Sequence, residues 1–212
     1  AATRDLFLDE KGDYDRKKAQ FSLLSAGVPG SVAGFHHALT KYGTLSWQEV
    51  LEPAIRLAEE GFVIPHDLAN TLASKRYRER LSSNPAAAKV FFKEDKGLYS
   101  AGEILIQRDL ASTLKELSKN GPDAFYTGKI AQLIVEEMER NGGLITLEDL
   151  KNYNVAERQP LVGSYKGYEI VSMPPSSSGG THLIQMLNML EEFPIKEMGF
   201  GSADTIHILA EV

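Results

Sequence analysis

Apolar positions three and four apart run through most of this chain, and each run is bounded by a capping or breaking residue. After Thr181, the spacing of Leu183, Met186, Leu187 and Leu190, widened by Ile184 and Met189, predicts a buried helix. Trp47, Val50, Leu51, Ala54, Leu57 and Ala58 mark a second helix face, opened by a Ser46/Glu49 capping box and stopped by Gly61. Pro53 inside that run predicts a kink or two short helices. Further helices are expected from Pro65 to about Leu81, where Asn84-Pro85 breaks the pattern, and from Arg108 to Lys119, with Leu110, Leu114 and Leu117 on one side. Lys129 to Arg140 turns Ile130, Leu133, Ile134 and Met138 inward and ends in a left-handed cap at Asn141-Gly142-Gly143. Thr146 opens a brief helix to Leu150, Phe193-Pro194 stops the helix that follows Thr181, and Ser202 caps a last one through Ile206, Ile208 and Leu209.

Period-two alternation is confined to a shorter stretch. Val155 to Val171, with Gly163 and Lys166-Gly167 at turns, predicts two or three antiparallel strands. Residues 9–20 mix charges of both signs around Gly12 and read as a solvated loop or hairpin. Val90–Phe92 and Gly102–Ile106 read as short buried elements flanking a charged loop, and Asn120-Gly121-Pro122-Asp123 as a turn. Helices outnumber strands, so the fold class is helix-rich α+β. With no long linker, repeat or low-complexity tract, residues 1–212 read as a single domain, helical over 31–150, with antiparallel strands and then helices over 155–212.

Composition narrows the function classes. A net charge of −6 without a basic stripe argues against nucleic-acid binding. Zero cysteines excludes disulfides, thiolate zinc sites and a cysteine nucleophile. No apolar run reaches the ~20 residues of a membrane span, and no signal peptide opens the chain. It begins at Ala1-Ala-Thr-Arg without methionine and stops at Val212 inside a helical pattern, which reads as a piece cut from a longer protein. His36, His37, His66, His182 and His207 show no metal-ligand spacing, so no metal site is assigned. Gly27, Gly30 and Gly34 fit neither a dinucleotide fingerprint nor a phosphate loop, and close helix packing explains them better. Lys75, Arg76, Arg78 and Arg80 crowd one helical segment, as either a solvated face or a seat for a carboxylate or phosphate.

One stretch concentrates the candidate chemistry. Tyr168–Ser172 carries strand-forming Ile170 and Val171, Pro174-Pro175 ends any ladder, and Ser176, Ser177, Ser178, Gly179 and Gly180 lead into the helix. A Ser/Gly turn at a helix N-terminus aims backbone N–H groups at one point, which suits an anion or a developing oxyanion. The plainer account is that the serines cap the helix and the glycines allow tight packing. His182 lies one turn beyond Ser178 and is placed to hydrogen-bond it; no base adjoins the serines in sequence, and no G-x-S-x-G elbow is present.

Met173-Pro-Pro-Ser-Ser-Ser-Gly-Gly-Thr-His182 resembles the MPPPSSGG-type segment in the large subunit of γ-glutamyltranspeptidases. Gly27-Val-Pro-Gly-Ser-Val-Ala-Gly34, Asn120-Gly-Pro-Asp-Ala-Phe-Tyr126, Asn141-Gly-Gly-Leu-Ile-Thr-Leu-Glu-Asp-Leu150 and Gly199-Phe-Gly-Ser-Ala-Asp204 match the same family in the same order.

The resemblance implies the central block of a large subunit, part of an N-terminal-nucleophile hydrolase of αββα architecture without its small subunit. In that family a zymogen cleaves itself, and the threonine freed at the start of the small subunit attacks a γ-glutamyl amide, typically of glutathione, with its own α-amine as base. The acyl group passes to water or to an amino acid or peptide, without metal or organic cofactor, in an extracytoplasmic protein, periplasmic or secreted. The resemblance places the nucleophile beyond Val212 and the carboxylate-clamping arginine before Ala1, and Arg4 is not that arginine. No catalytic residue is therefore carried onto this chain, which is expected to be inactive alone, and Ser176–Gly180 are left as cleft-lining or bracing candidates. Expected partners are the small subunit of the same precursor and γ-glutamyl small molecules. The alternatives are a non-catalytic structural module, or a related acylase acting on cephalosporin side chains or poly-γ-glutamate.

Overall fold

The computed structural model describes residues 2–93 and 97–212, which form two compact units, Ala1–Val155 and Ala156–Val212. The first holds α1 (Arg16–Phe21), α2 (Ser31–Tyr42), α3 (Trp47–Glu60), β1 (Phe62–Val63), α4 (His66–Ala73), α5 (Lys75–Ser82), α6 (Pro85–Phe91), β2 (Ile104–Leu105), α7 (Arg108–Asn120), α8 (Asp123–Tyr126), α9 (Lys129–Arg140) and α10 (Leu147–Lys151). The second holds β3 (Leu161–Tyr165), β4 (Tyr168–Ser172), α11 (Gly179–Glu191), α12 (Ile195–Met198) and α13 (Ala203–Glu211). The expected helix-rich α+β class is what the chain adopts.

Local capping chemistry sets many of the boundaries. Ser46 Oγ accepts from Glu49 N at 3.2 Å while the Glu49 carboxylate accepts from Ser46 N at 2.7 Å, a complete capping box. Thr146 and Asp149 repeat it at α10, and Ser202 caps α13. Gly142, at φ +71°, lets Gly143 N reach back to Met138 O at 2.7 Å and close α9. The hydroxyls, and next the backbone N–H groups, hold the Glu49 and Asp149 carboxyls below their ordinary 4.5 and 3.8. Both caps bind the anion. Their contribution is therefore complete above those ordinary values and is lost as pH falls through the lowered ones. Thermal unfolding followed against pH should show an acid limb there, and Ser46→Ala with Thr146→Ala should shrink it.

The core of the first unit forms around α8, α9 and α10. Tyr126, Ala131, Ile145 and Leu150 are buried together, Leu117, Ala124 and Ile130 form a second cluster, and Val32, Phe125 and Ile134 pack against both. α3 and α7 lie side by side in opposite directions, since Trp47 Nε1 donates to Leu117 O at 2.8 Å and Gln107 N donates to Ala58 O at 2.9 Å. β1 and β2 pair antiparallel, Phe62 with Leu105 and Val63 with Ile104. Ile64, Leu105 and Leu150 are almost fully enclosed, each contributing roughly 1.5–3 kcal/mol by burial.

Several expectations are corrected. Pro53 neither splits nor ends α3, which continues to Glu60 between its two caps. The helix expected from Pro65 to Leu81 breaks at Ser74, whose extended backbone (ψ 139°) separates α4 from α5. Asn84 does more than break the chain: its side chain accepts from Ala87 N and opens α6 at Pro85. Residues 16–20, read as loop, are helical under an Asp15 cap, while Leu8 and Tyr14 form the bridge of a small hairpin. Phe92 and Leu98 bridge the flanks of the charged loop, of which residues 94–96 lie outside the described residues.

The inward faces of the helices also differ. Val50, Leu57, Leu110 and Leu133, expected inward, are all more than 40% exposed, whereas Ala58, Leu117 and Ile130 on the same expected faces are buried, joined by Ala111 and Ala131. The small alanines at 58, 111 and 131 let neighbouring elements approach closely, and Val50, Leu57, Leu110 and Leu133 are left outside the contact.

In the second unit β3 and β4 form a two-stranded antiparallel hairpin in register Leu161↔Ser172 through Tyr165↔Tyr168. Lys166 (φ +48°) and Gly167 (φ +83°) make its two-residue turn. Gly163 is not at a turn. It sits mid-strand, where an added Cβ would come 2.8 Å from Ile184 Cγ2, so its small size lets α11 lie on the hairpin. α11 is not buried all round, because Leu183, Met186 and Met189 on it remain 38–45% exposed.

Candidate functional site

β4 ends at Ser172 and delivers Met173-Pro174-Pro175 into a turn whose Pro175–Ser176 peptide is cis. Prolines there cannot donate to a ladder, so the strand stops and the chain turns toward α11. A cleft of about 750 Å³ opens beside the strand end, lined by Arg158, Pro160, Val171, Met173, Ser176 and Ser177 among others. Its walls are largely apolar, and Arg158 is its one charged lining side chain among the described residues. Arg158 has no ion-pair partner among them. A guanidinium beside two hydroxyls can hold a carboxylate, which accepts both kinds of donor.

The five candidate residues divide. Ser176 and Ser177 line the cleft, whereas Ser178, Gly179 and Gly180 begin α11. Ser178 occupies the N-cap position, yet its side chain caps nothing; the serine contact found is Gly179 N to Ser177 Oγ at 3.3 Å. The bond between Ser178 and His182 runs from the His182 backbone N–H to the Ser178 carbonyl at 3.0 Å and is ordinary helix geometry. Gly180 is buried, and an added Cβ would lie closer than 3.0 Å to the Met173 carbonyl oxygen and 3.1 Å from Ser172 Oγ. Gly180 therefore belongs to packing, and it seats the helix start against the strand end.

Chemically, the cleft can bind and orient. Among the described residues, neither His182 nor any other base is in the lining of the cleft beside the serines. Among the described residues no group of three histidine or acidic side chains is placed to hold a metal ion. His36 has a packing role instead, edge-on to Trp47 with ring centroids 5.2 Å apart. Sequence reasoning passed over Arg158, which sits in an unremarkable Glu157-Arg158-Gln159-Pro160 stretch; only the folded hairpin sets it near Ser176 and Ser177.

Known proteins match the chain along its whole length. The family model described as gamma-glutamyltranspeptidase covers residues 1–212. The glutathione hydrolase proenzyme of Escherichia coli K12 is 49% identical over 211 residues, 99% of this chain and 36% of that protein. The acylase ACY 1 proenzyme of Pseudomonas sp. SE83 is 44% identical over 187 residues, 88% of this chain and 33% of that protein. Among solved structures, the γ-glutamyltranspeptidase of Helicobacter pylori superposes with a TM-score of 0.94 at 47% identity, over 99% of this chain and 60% of that one. This chain thus spans about a third of the length of the curated relatives it matches. With the motifs in family order and the fold shared across the whole chain, the chain belongs to the γ-glutamyltranspeptidase family.

Proposed function

We propose that this chain is the central block of the large subunit of a γ-glutamyl hydrolase/transferase. One observation carries the reading: a 49% identical glutathione hydrolase proenzyme aligns with 99% of the chain. The proposed reaction opens when the threonine hydroxyl at the start of the small subunit attacks the γ-glutamyl carbonyl of glutathione or a related amide. The threonine α-amine takes the hydroxyl proton and returns it to the departing amine. Water or an amino acid or peptide then takes the acyl group and frees the threonine. The whole of residues 1–212 is taken as one large-subunit domain in an extracytoplasmic protein. Among the described residues no helix is long and apolar enough to cross a membrane.

In this reading the Ser176–Gly180 turn lines or braces the active-site cleft. Replacing Ser176 and Ser177 together with alanine is expected to lower kcat/KM by about tenfold, the loss of hydrogen bonds to a charged group. Unchanged kinetics would remove the turn from the site.

The deciding assay is hydrolysis of a γ-glutamyl anilide by the full-length gene product and by residues 1–212 alone. Activity only from the former, with a subunit beginning at threonine, supports the proposal. Activity from the 212 residues alone would overturn it, and silence from both would favour a non-catalytic module or the second reading. That second reading, an acylase with another acyl substrate, draws on the 44% identical acylase relative.

The missing small subunit also has a physical signature. On the hairpin, the cross-strand pair Val162 and Val171 is 60% and 58% exposed, and Tyr168 and Met173 are 74% and 65% exposed. In the first unit, Val63 and Ile104 pair across β1 and β2 and are likewise open at 63% and 55%. Open cross-strand pairs of this kind are the apolar surface that a covering subunit would bury. Residues 1–212 alone should therefore self-associate in light scattering, and a monodisperse monomer would count against a covering subunit.

A further inference from the structure

A second cleft lies in the first unit, between α1 and α5, with a volume of about 1020 Å³. Lys17 and Phe21 form the α1 side, and Lys75, Arg76, Glu79 and Arg80 the α5 side. Among the described residues four cations thus face one carboxylate, in a chain whose net charge is −6. Glu79 does little to neutralise them. It meets Lys75 at 4.0 Å, with both side chains largely in water, where such a pair is weak. Lys17 and Arg76 have no ion-pair partner among the described residues. Arg76 and Arg80 are also one helical turn apart, a like-charge spacing that works against the helix carrying them.

Arg80 is held differently. Its guanidinium lies 4.6 Å from the centroid of the Phe21 ring, which attracts the cation without consuming its N–H donors. The ring also anchors one side chain of the cleft, so an arriving anion has less freedom to freeze out. The patch is too short for nucleic acid, because it rests on one eight-residue helix and a single turn of another. It suits a compact ligand whose charge matches several converging cations.

We propose that the cleft between α1 and α5 binds a small oxyanion of charge −2 or more, held by Lys17, Arg76 and Arg80. The bound anion removes the repulsion between Arg76 and Arg80 and takes donors that no protein carboxylate uses. Phosphate and a di- or tricarboxylate share this chemistry.

The test is calorimetric titration of the full-length protein with inorganic phosphate and, separately, with citrate, at constant ionic strength and with acetate as the monovalent comparison. Saturable millimolar or tighter binding is expected for at least one of the two, and which one saturates assigns the source of the anion. The R76Q/R80Q variant should weaken it by about tenfold or more, as for lost charged hydrogen bonds. E79Q should tighten it, because it removes the one carboxylate that lines the cleft among the described residues. These side chains are exposed, and E79Q reads the site without removing a cation, so the outcome does not hang on one variant. Absence of saturation by both anions, equal binding of acetate, or affinities unmoved by both variants would each overturn the proposal.

Discussion

Gly180→Ala is expected to destabilise the second unit by about 3 kcal/mol, the upper range for forcing a methyl into a packed site. For a chain of this size that is a fall in Tm of about 6–12 °C. The new Cβ would lie closer than 3.0 Å to the Met173 carbonyl oxygen and 3.1 Å from the Met173 carbonyl carbon. That obstacle is backbone, at the point where β4 ends before two prolines, and it cannot rotate away. Two neighbours calibrate the effect. At Gly163 the added methyl meets only the Ile184 side chain, which can shift, so Gly163→Ala should cost less. At Gly179 the nearest atom is Ser177 Oγ at 3.5 Å, an ordinary contact, and alanine should be neutral or stabilising by up to about 1 kcal/mol because it suits a helix better than glycine. Thermal unfolding of the three variants should rank them 180, 163, 179 from worst to best. Equal losses at Gly179 and Gly180 would show that the turn, not the contact with Met173, governs stability.

The second large effect is expected at Tyr126→Phe, at about 2 kcal/mol. The Tyr126 hydroxyl donates to Pro29 O at 2.7 Å and accepts from Ala33 N at 3.2 Å. Ala33 is the third residue of α2, whose N-cap is Gly30, a residue with no side chain to cap it. A cap 93 residues away in sequence therefore does the work of the missing serine or aspartate. Gly30 is required in turn, because an added Cβ would lie 2.6 Å from Tyr153 Cζ, and the Tyr153 ring is stacked on Tyr126 with centroids 5.5 Å apart. Phenylalanine would keep the stacking and leave both backbone groups unpaired, a loss of about 1–3 kcal/mol. Burial, partly offset by the Ala33 hydrogen bond, pushes the Tyr126 hydroxyl above its ordinary 10.0. The unfolded chain then ionises first. The stability tied to the neutral hydroxyl is complete below about pH 10 and drains away as pH rises through the folded-state value. The gap between parent and Tyr126→Phe should accordingly narrow above pH 10 in alkaline unfolding, and a constant gap would mean that the hydroxyl does not titrate with the fold.

Local features proved readable because their partners lie within a few residues. The capping boxes at Ser46/Glu49 and Thr146/Asp149, the Ser202 cap, the Gly61 stop and the Asn141-Gly142-Gly143 ending are hydrogen-bond arrangements that neighbouring residues complete by themselves. Family membership was readable for a related reason, since five short motifs in order need no coordinates. The break at Ser74 was not readable, because serine forbids neither helix nor extended backbone, and the helical spacing continues past it. The wider apolar faces misled for another reason. α3 and α7 each carry more apolar residues than their mutual contact can cover, so periodicity named Val50, Leu57 and Leu110 as readily as Ala58 and Leu117.

In the candidate site the division is the same. The sequence by itself determined that a strand, a proline stop and a helix start meet around Ser176–Gly180, because propensity and missing N–H donors act within the segment. Tertiary structure alone decided that Gly180 packs on Met173, that Ser176 and Ser177 share a cleft with Arg158, and that Tyr126 caps a helix whose N-cap is Gly30. Those outcomes depend on which distant atoms come within contact distance, and a residue's identity states its chemistry without stating its neighbours.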